Sequence, residues 1–267
     1  MEVHCAAWIR LLHELQHQDH RLAVTADLVL VRHDLERFDD HLVDAFARLN
    51  LQFLMLGHGA QQKEAFMPSF RYGRASHLPR RFSTVDEARH SLNPIPLSII
   101  YLIKQVERLT LTAKPHLPLP SAVMLEKQKA LQAAMGDWVT SYDSSMQPQP
   151  TLASIPRLER LGLLMLRTYA DVAAILLSTC FSVKETAYDA HLPVFESILQ
   201  RYSEIRSIDH FLASDTYGSD PTFMIDTGLF PPPYFTALKC RTYPTRHQAL
   251  SMLRQYIHME VPGPGLC

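Results

Sequence analysis

The spacing of hydrophobic residues along this chain is mostly that of helices. Between residues 36 and 57, large apolar residues recur every three or four positions and therefore share one helix face: Phe38, Leu42, Phe46, Leu49 and Phe53. The same criterion predicts further helices over 4–17, 97–112, 121–140, 154–182, 184–208, 234–241 and 245–258. The alternating pattern of half-buried strands is scarce. We therefore predict an all-α protein.

Several predicted helix ends contain residues that start or interrupt helices. Thr84 and Glu87 have the spacing of a capping box, so we expect a helix to begin there. Pro94 and Pro96 are expected to break or kink the chain that follows, and Pro193 to kink a later helix, because proline removes a helical hydrogen bond.

Proline-containing stretches without helical spacing mark the joints of the chain. These are 114–120 (KPHLPLP) and 147–150 (QPQP), while 58–82 and 213–233 are predicted to be a connection and a loop. No internal repeat appears at the periods of solenoid proteins. We predict one irregular multi-helix domain over residues 1–267.

Residues 230–241 read FPPPYFTALKCR and form an elbow before the last helix. The prolines are expected to hold the backbone extended and to lead into a short helix over 234–241. Phe235 and Leu238 are predicted to form the apolar face of that helix, with Cys240 packed inward. The following helix is predicted to carry one apolar stripe: Leu250, Leu253 and Ile257.

The charge and cysteine content change the expected partners and compartment. The net charge is -1 and the pI about 6.9, without the basic excess of a free-standing nucleic-acid binder, so we expect no direct nucleic-acid binding. The four cysteines are well separated, which favours a reducing compartment.

The first residues lack a signal-peptide pattern. The apolar run 162–181 contains Arg167 and Asp171, which argues against a membrane span. We expect an intracellular protein of the nucleus or cytoplasm.

The sequence HELQH at 13–17 has the HExxH spacing of zinc proteases. On a helix, His13 and His17 would face the same side and could bind Zn²⁺, with Glu14 activating a water molecule and His20 nearby. The alternative is a chance match in a histidine-rich helix, since the chain contains 14 histidines. We assign no metal, and we expect no cofactor because no glycine-rich phosphate-binding loop occurs.

Three carboxylates in DDHLVD, Asp39, Asp40 and Asp44, could hold Mg²⁺ and a diphosphate, as in class I terpene cyclases. The second ligand cluster that such enzymes need is not present in usable form. The alternative is an acidic, solvated helix face opposite the apolar stripe. These residues are catalytic candidates only if the fold serves a cyclase or isomerase.

A cluster of arginines between residues 71 and 81 is interleaved with aromatic residues: Arg71, Arg74, Arg80 and Arg81, with Phe70, Tyr72 and Phe82. Such a cluster could contact an acidic partner or nucleic acid. The alternative is a solvated loop between two helices.

Three segments, in order along the chain, carry motifs of one family. Residues 39–55 match a Phe-x-Arg-Leu-Asp-x-Gln helix, with Asn50 at the Asp position, and 82–92 match a Phe-x-x-x-x-Glu-Ala-Arg segment. The matching positions in 223–255 are Asp226, Gly228, Pro232, Pro233, Tyr234, Lys239, Cys240, Arg241, Pro244, Arg246, Ala249 and Leu253. The chain thus resembles the regulatory region of fungal Zn₂Cys₆ transcription factors. The six closely spaced cysteines of their zinc cluster do not occur in this sequence.

The resemblance implies a helical regulatory protein of a fungal pathway, with secondary metabolism as the expected context. It would act by binding protein partners or a small-molecule effector, without DNA binding of its own and with homo-oligomer formation left open. The alternative is a helical enzyme or accessory protein of a biosynthetic cluster that binds an apolar small molecule, since a shared fold does not fix function.

Overall fold

We analysed a computed structural model of the 267-residue chain. It describes residues 28–32, 52, 55, 70–74, 78–112, 120–146, 156–216 and 229–260. The chain divides into two compact units, Met1–Ser145 and Met146–Cys267, whose boundary adjoins the predicted joint at 147–150. The single-domain organisation stays a prediction, and each unit is described by itself.

A two-stranded antiparallel ribbon lies in the first unit. Strand β1 (Leu28–Arg32) pairs with β2 (Phe70–Arg74), with Leu28 opposite Arg74 and Arg32 opposite Phe70. The helical pattern did not predict these strands, and β2 falls in the stretch expected to be a connection. The apolar run of β1, with two β-branched valines, was the available signal.

Helix α1 (Val85–Leu92) begins where the capping box predicted. The Thr84 hydroxyl accepts a hydrogen bond from the Glu87 N–H at 3.1 Å, and the Glu87 carboxylate accepts one from the Ser83 N–H at 2.6 Å. Both bonds satisfy donors that have no partner within the helix. The predicted helix start is confirmed.

Helix α2 (Pro94–Thr112) follows α1 after a single residue. Pro94 and Pro96 were predicted to break the chain here, but they occupy the first turn of α2. Proline is tolerated there because the N–H that it lacks would have no helical acceptor. The next apolar residues of α2 are buried on all sides, and β1 lies beside this helix.

Helix α3 (Ala122–Met146) buries a stripe of apolar residues spaced three, four or seven apart: Met124, Leu131, Met135, Trp138 and Tyr142. The Trp138 indole N–H donates to the Ala88 carbonyl oxygen of α1 at 2.9 Å. Its ring stacks on Tyr142 with ring centroids 5.2 Å apart. Trp138 is fully buried and joins α3 to α1 through packing and one hydrogen bond.

The second unit is entirely helical over 156–216 and 229–260 apart from short connections. It contains α4, a 3₁₀ helix, α5, α6 and α7, with bounds Arg157–Thr179, Glu185–His191, Leu192–Thr216, Pro231–Lys239 and Tyr243–Glu260. Pro193 was predicted to kink a helix over 184–208, but it lies in the first turn of α5, after the 3₁₀ helix. The all-α, multi-helix fold class is confirmed, with one ribbon added.

Helices α4 and α5 pack side by side and share a largely buried ion cluster. The Asp171 carboxylate accepts a hydrogen bond from the Arg201 guanidinium and lies 3.3 Å from the Nε of Arg167. Burial raises the pKa of the Asp171 carboxyl, an effect larger than the opposing attraction of Arg201 and Arg167. The carboxylate therefore depends on its two guanidinium partners to remain charged in this position.

One helix of the described residues, Glu159–Thr179, is long and apolar enough to cross a membrane by length and composition alone. Half of its most apolar window is buried within the protein. The Arg167–Asp171–Arg201 cluster lies along the same helix and pairs it with α5. These contacts favour the predicted interpretation of a buried amphipathic helix.

Replacing Arg201 with glutamine is expected to destabilise the second unit by about 3 kcal/mol, because a buried carboxylate loses its nearest cation. The Asp171→Asn/Arg201→Gln double variant should recover most of this loss, since no uncompensated charge remains. Chemical denaturation of the four proteins of this cycle measures both values.

The exposed pair between Arg160 and Glu204 joins the same two helices and is the matched control. Glu204→Gln should cost less than about 1 kcal/mol, because solvent screens the pair. A double variant no more stable than Arg201→Gln would contradict the assigned role of Asp171.

Candidate functional site

The chain enters α6 through three consecutive prolines that are all buried: Pro231, Pro232 and Pro233. The N-cap residue Phe230 has φ -75° and ψ -44°, and the prolines form the first helical turn. The prediction that they hold the backbone extended is therefore wrong. The helical conformation is disfavoured for a residue that precedes proline. Packing in the elbow therefore stabilises a helix start that the local sequence disfavours.

At this buried helix end, the three prolines remove N–H groups that would otherwise lack a hydrogen-bond acceptor within the helix. The first N–H groups of a helix lack acceptors within it, and a capping side chain or water must usually supply one. Phe230 has no side-chain acceptor, and no side-chain capping bond forms there. Because proline has no N–H, the turn can be buried without leaving donors unsatisfied. The first backbone bond runs from the Tyr234 N–H to the Phe230 carbonyl at 3.2 Å.

Phe235 anchors α6 in the core of the second unit. Its ring is 1% exposed and lies 6.0 Å from the ring of Phe195 in α5 and 6.4 Å from that of Tyr188 in the 3₁₀ helix. Leu238 was predicted to share this apolar face, but it is 44% exposed. The fully buried Thr236 and the nearly buried Ala237 complete the inner surface of α6 instead.

The tripeptide Lys239-Cys240-Arg241 sends its middle side chain inward and its flanking side chains to the 3₁₀ helix. Cys240 is 3% exposed, so its predicted packing role is confirmed by its burial. The Lys239 ammonium lies 2.9 Å from a carboxylate oxygen of Glu185. The Arg241 guanidinium lies 2.7 Å from a carboxylate oxygen of Asp189. Both cations therefore attach the end of α6 to the 3₁₀ helix. Lys239 Nζ also lies 5.0 Å above the Tyr188 ring.

Helix α7 packs its inner face on α5 and α6 through one hydrophobic cluster: Leu199, Ala237, Ala249 and Leu253, with Phe230, Tyr234 and Met252 against it. Leu250 was predicted to join Leu253 on this inner stripe. It is 41% exposed, because it lies about 60° away from Leu253 around the helix. Ile257, which was predicted to lie on the same stripe, is outside the residues whose side chains the structure describes.

The outward face of α7 combines exposed apolar and cationic side chains. Tyr243, His247, Leu250 and Arg254 lie within a sector of about 60°, and we call these four residues the outer face. All four are exposed, and Tyr243 is 76% exposed. The Tyr243 and His247 rings lie 5.8 Å apart. Arg246 is exposed at the border of this sector.

Ser178 and His191 form a hydrogen-bonded pair that resembles part of a nucleophilic dyad. The Ser178 Oγ lies 2.7 Å from the His191 Nε2 and 2.8 Å from the Ile175 carbonyl oxygen. The Ser178 hydroxyl has one proton, which it donates to the Ile175 carbonyl oxygen. In the bond between the two side chains, we therefore assign the His191 Nε2–H as the donor and the Ser178 Oγ as the acceptor. In this assignment His191 cannot accept the serine proton, and the pair ties α4 to the end of the 3₁₀ helix.

The predicted arginine cluster is split by the structure. Residues 70–74, with Arg71 and Arg74, form strand β2, so the alternative of a loop between two helices is wrong for this part. Arg80 and Arg81 are exposed in the irregular segment before α1. Phe82 packs on the Trp138 ring at 5.9 Å, and its N–H donates to the Ser145 hydroxyl at 2.7 Å. The aromatic residue next to this arginine pair is thus used for packing.

The other predicted site residues cannot be placed. His13, Glu14, His17, and the carboxylates Asp39, Asp40 and Asp44, lie outside the described residues. Within the described part of the chain, no group of three histidine, cysteine or acidic side chains has the arrangement of a metal site.

The outer face is the feature that sequence reasoning missed. The helical pattern predicts inward apolar residues on this helix, and Leu250 is one of them. The available signal was the second periodicity on the same helix: Tyr243, His247, Leu250 and Arg254 are also three or four residues apart. The exposed apolar and cationic side chains on the side of α7 away from its packed face make the outer face a candidate contact surface.

Replacing Pro232 with alanine is expected to destabilise the second unit by about 1–3 kcal/mol, because it introduces into a buried turn an N–H that has no acceptor within the helix. Pro244→Ala is the matched control, since Pro244 also lies in the first turn of a helix but is exposed. Its new N–H would be hydrated, and we expect a loss below about 1 kcal/mol. Thermal or urea unfolding compares the two, and equal losses would contradict the role assigned to buried donors.

Burial lowers the pKa of His191 from its usual value of 6.5. A lowered pKa in the folded state means that the unfolded chain binds the proton more tightly. The stability contributed by neutral His191 is therefore fully present above pH 6.5 and is lost as the pH falls through the folded-state pKa. His191→Gln keeps an N–H donor but does not titrate, so the stability difference between wild type and variant should shift against the wild type on acidification. Urea unfolding at several pH values from neutral to mildly acidic measures this difference, and a pH-independent difference would contradict it.

No protein-family model, curated protein or solved structure matches this chain. The resemblance to fungal Zn₂Cys₆ regulators rests on the motif positions named above.

Proposed function

We propose that this protein is a regulatory module of the fungal Zn₂Cys₆ type that acts in transcriptional control by binding a protein partner or effector, without a catalytic step. The observation that carries the proposal is the position of the family-like residues in the fold. In both described segments with family-like motifs they build the scaffold, as fold-defining residues of a binding module should.

In the first unit, the Glu-Ala-Arg motif builds the helix α1. Glu87 caps the helix start, Ala88 is fully buried and accepts the Trp138 hydrogen bond through its carbonyl, and Arg89 pairs with Asp86 at 2.8 Å. Each residue has a structural reason for its identity. A larger residue at position 88 would displace α3, because the position has no exposed surface.

In the second unit, the motif residues of the elbow and α7 have comparable roles. Pro232 and Pro233 allow a buried helix start, Cys240 packs in the core, and Lys239 and Arg241 form ion pairs with the 3₁₀ helix. This scaffold holds the outer face of α7 in a fixed position at the surface. A rigid helix that presents apolar and cationic side chains suits recognition of a partner.

Deletion of the gene in its host, with transcript and metabolite profiling, tests the proposal. We expect transcripts of the regulated pathway genes to fall together, and the wild-type gene to restore them. The Asp39→Asn/Asp40→Asn/Asp44→Asn variant is the matched control, since these residues carry the enzyme alternative. It should restore transcripts as well as the wild type does.

Unchanged transcripts with an accumulated pathway intermediate would overturn the proposal and favour the enzyme. Metal analysis of the purified protein adds an independent check on the HExxH motif. We expect no stoichiometric zinc, whereas one zinc per chain lost in the His13→Ala variant would support the zinc-protease alternative.

A further inference from the structure

We infer that the outer face of α7 is the docking surface for an acidic, amphipathic protein segment. This inference deepens the proposed function, since it names the chemistry of the partner. It rests on the exposure, spacing and charge of the outer face and of Arg246 beside it, all on one helix.

The apolar part of the outer face is spread over two helical turns. Tyr243 and Leu250 are seven residues apart, or about 10 Å along the helix axis. They are 76% and 41% exposed, although the opposite side of α7 is in the core. A partner that covers both side chains must present apolar residues with a similar two-turn separation, as one face of an amphipathic helix does.

The charge on and beside the outer face is positive. Arg246 and Arg254 lie one turn before and one turn after Leu250, and both are exposed. Neither guanidinium has a salt bridge among the described residues, in contrast to Arg241 and Lys239, which are paired with the 3₁₀ helix. From Tyr243 to Tyr256 the helix contains no acidic residue. The complementary partner therefore carries carboxylates on either side of its apolar residues.

Protein is favoured over nucleic acid as the occupant. The exposed leucine between the two arginines offers nothing to a phosphate backbone, whereas it can fill the apolar centre of a protein contact. The chain as a whole has a net charge of -1, without the basic excess that a nucleic-acid binder uses. Aromatic residues and arginine, as in Tyr243 and Arg254, are enriched at protein contacts.

The test is a selection from a display library of random 20-residue peptides against the full chain. Counter-selection uses the Leu250→Ala/Arg254→Glu variant, whose changes lie on the surface and should leave the fold intact, as circular dichroism can verify. We expect enriched peptides that bind wild type, carry net negative charge and place leucine, phenylalanine or tyrosine at helical spacing.

Fluorescence anisotropy with the enriched peptides then supplies the residue-level check. Leu250→Ala should weaken binding about tenfold, and Arg254→Glu should weaken it by a similar factor. A peptide with its glutamates changed to lysines should regain affinity for Arg254→Glu. Gln248→Glu is the matched control, because Gln248 is exposed on the same helix outside the outer face, and we expect less than about a twofold change.

Three results would overturn the inference. One is the absence of any peptide that distinguishes wild type from the counter-selection variant, and another is enrichment of basic peptides. The third is salt-sensitive binding of a DNA or RNA oligonucleotide that Arg254→Glu weakens but Leu250→Ala does not, which would assign the face to nucleic acid. Peptide binding could pass these tests while transcripts stay unchanged in the deletion strain. That combination would overturn the proposed function but would still support the docking surface.

Discussion

A backbone donor that leaves water must find an acceptor, and the second unit depends on how α6 meets this requirement. Its first turn lies in the core, next to an N-cap residue whose side chain cannot accept a hydrogen bond. Three prolines remove the donors themselves. With the turn buried, Phe235 reaches the rings of Phe195 and Tyr188, and Ala237 reaches the cluster beneath α7. The position of α7, and so of its outer face, follows from this buried start.

The charged side chains of the second unit differ in burial, and therefore in what they contribute to stability. The Arg167–Asp171–Arg201 cluster is largely buried, and burial works against the charge of its carboxylate. The pairs of Lys239 and Arg241 with the 3₁₀ helix are much more exposed, so they orient the end of α6 at little gain in stability. On α7, by contrast, Arg254 has no described salt bridge. Its positive charge, like that of the exposed Arg246, is therefore available for binding.

The helical fold class could be predicted from spacing alone, and so could local signals such as the capping box of Thr84 and Glu87. Proline was harder to interpret, because its effect depends on position within a helix. Pro94, Pro193 and Pro231 all lie in first turns, where the missing N–H removes no hydrogen bond. Strand β1 was missed because its partner is about forty residues away, beyond any local window. The outer face was missed because Leu250 lies between two stripes, and only the packing of Ala249 and Leu253 shows which stripe faces the core.

The three prolines of the elbow also have a kinetic consequence. In an unfolded chain each bond that precedes a proline is cis in roughly 10–30% of molecules, and exchange takes tens to hundreds of seconds. The helical first turn of α6 needs all three bonds trans, because a cis bond would interrupt it. By this count roughly a quarter to two-thirds of unfolded molecules carry at least one wrong bond. Such molecules must wait for rotation about that peptide bond before α6 docks and α7 takes its place. Protein that refolds from the equilibrated unfolded state would therefore present the outer face only after these bonds have become trans, and a prolyl isomerase would shorten that delay.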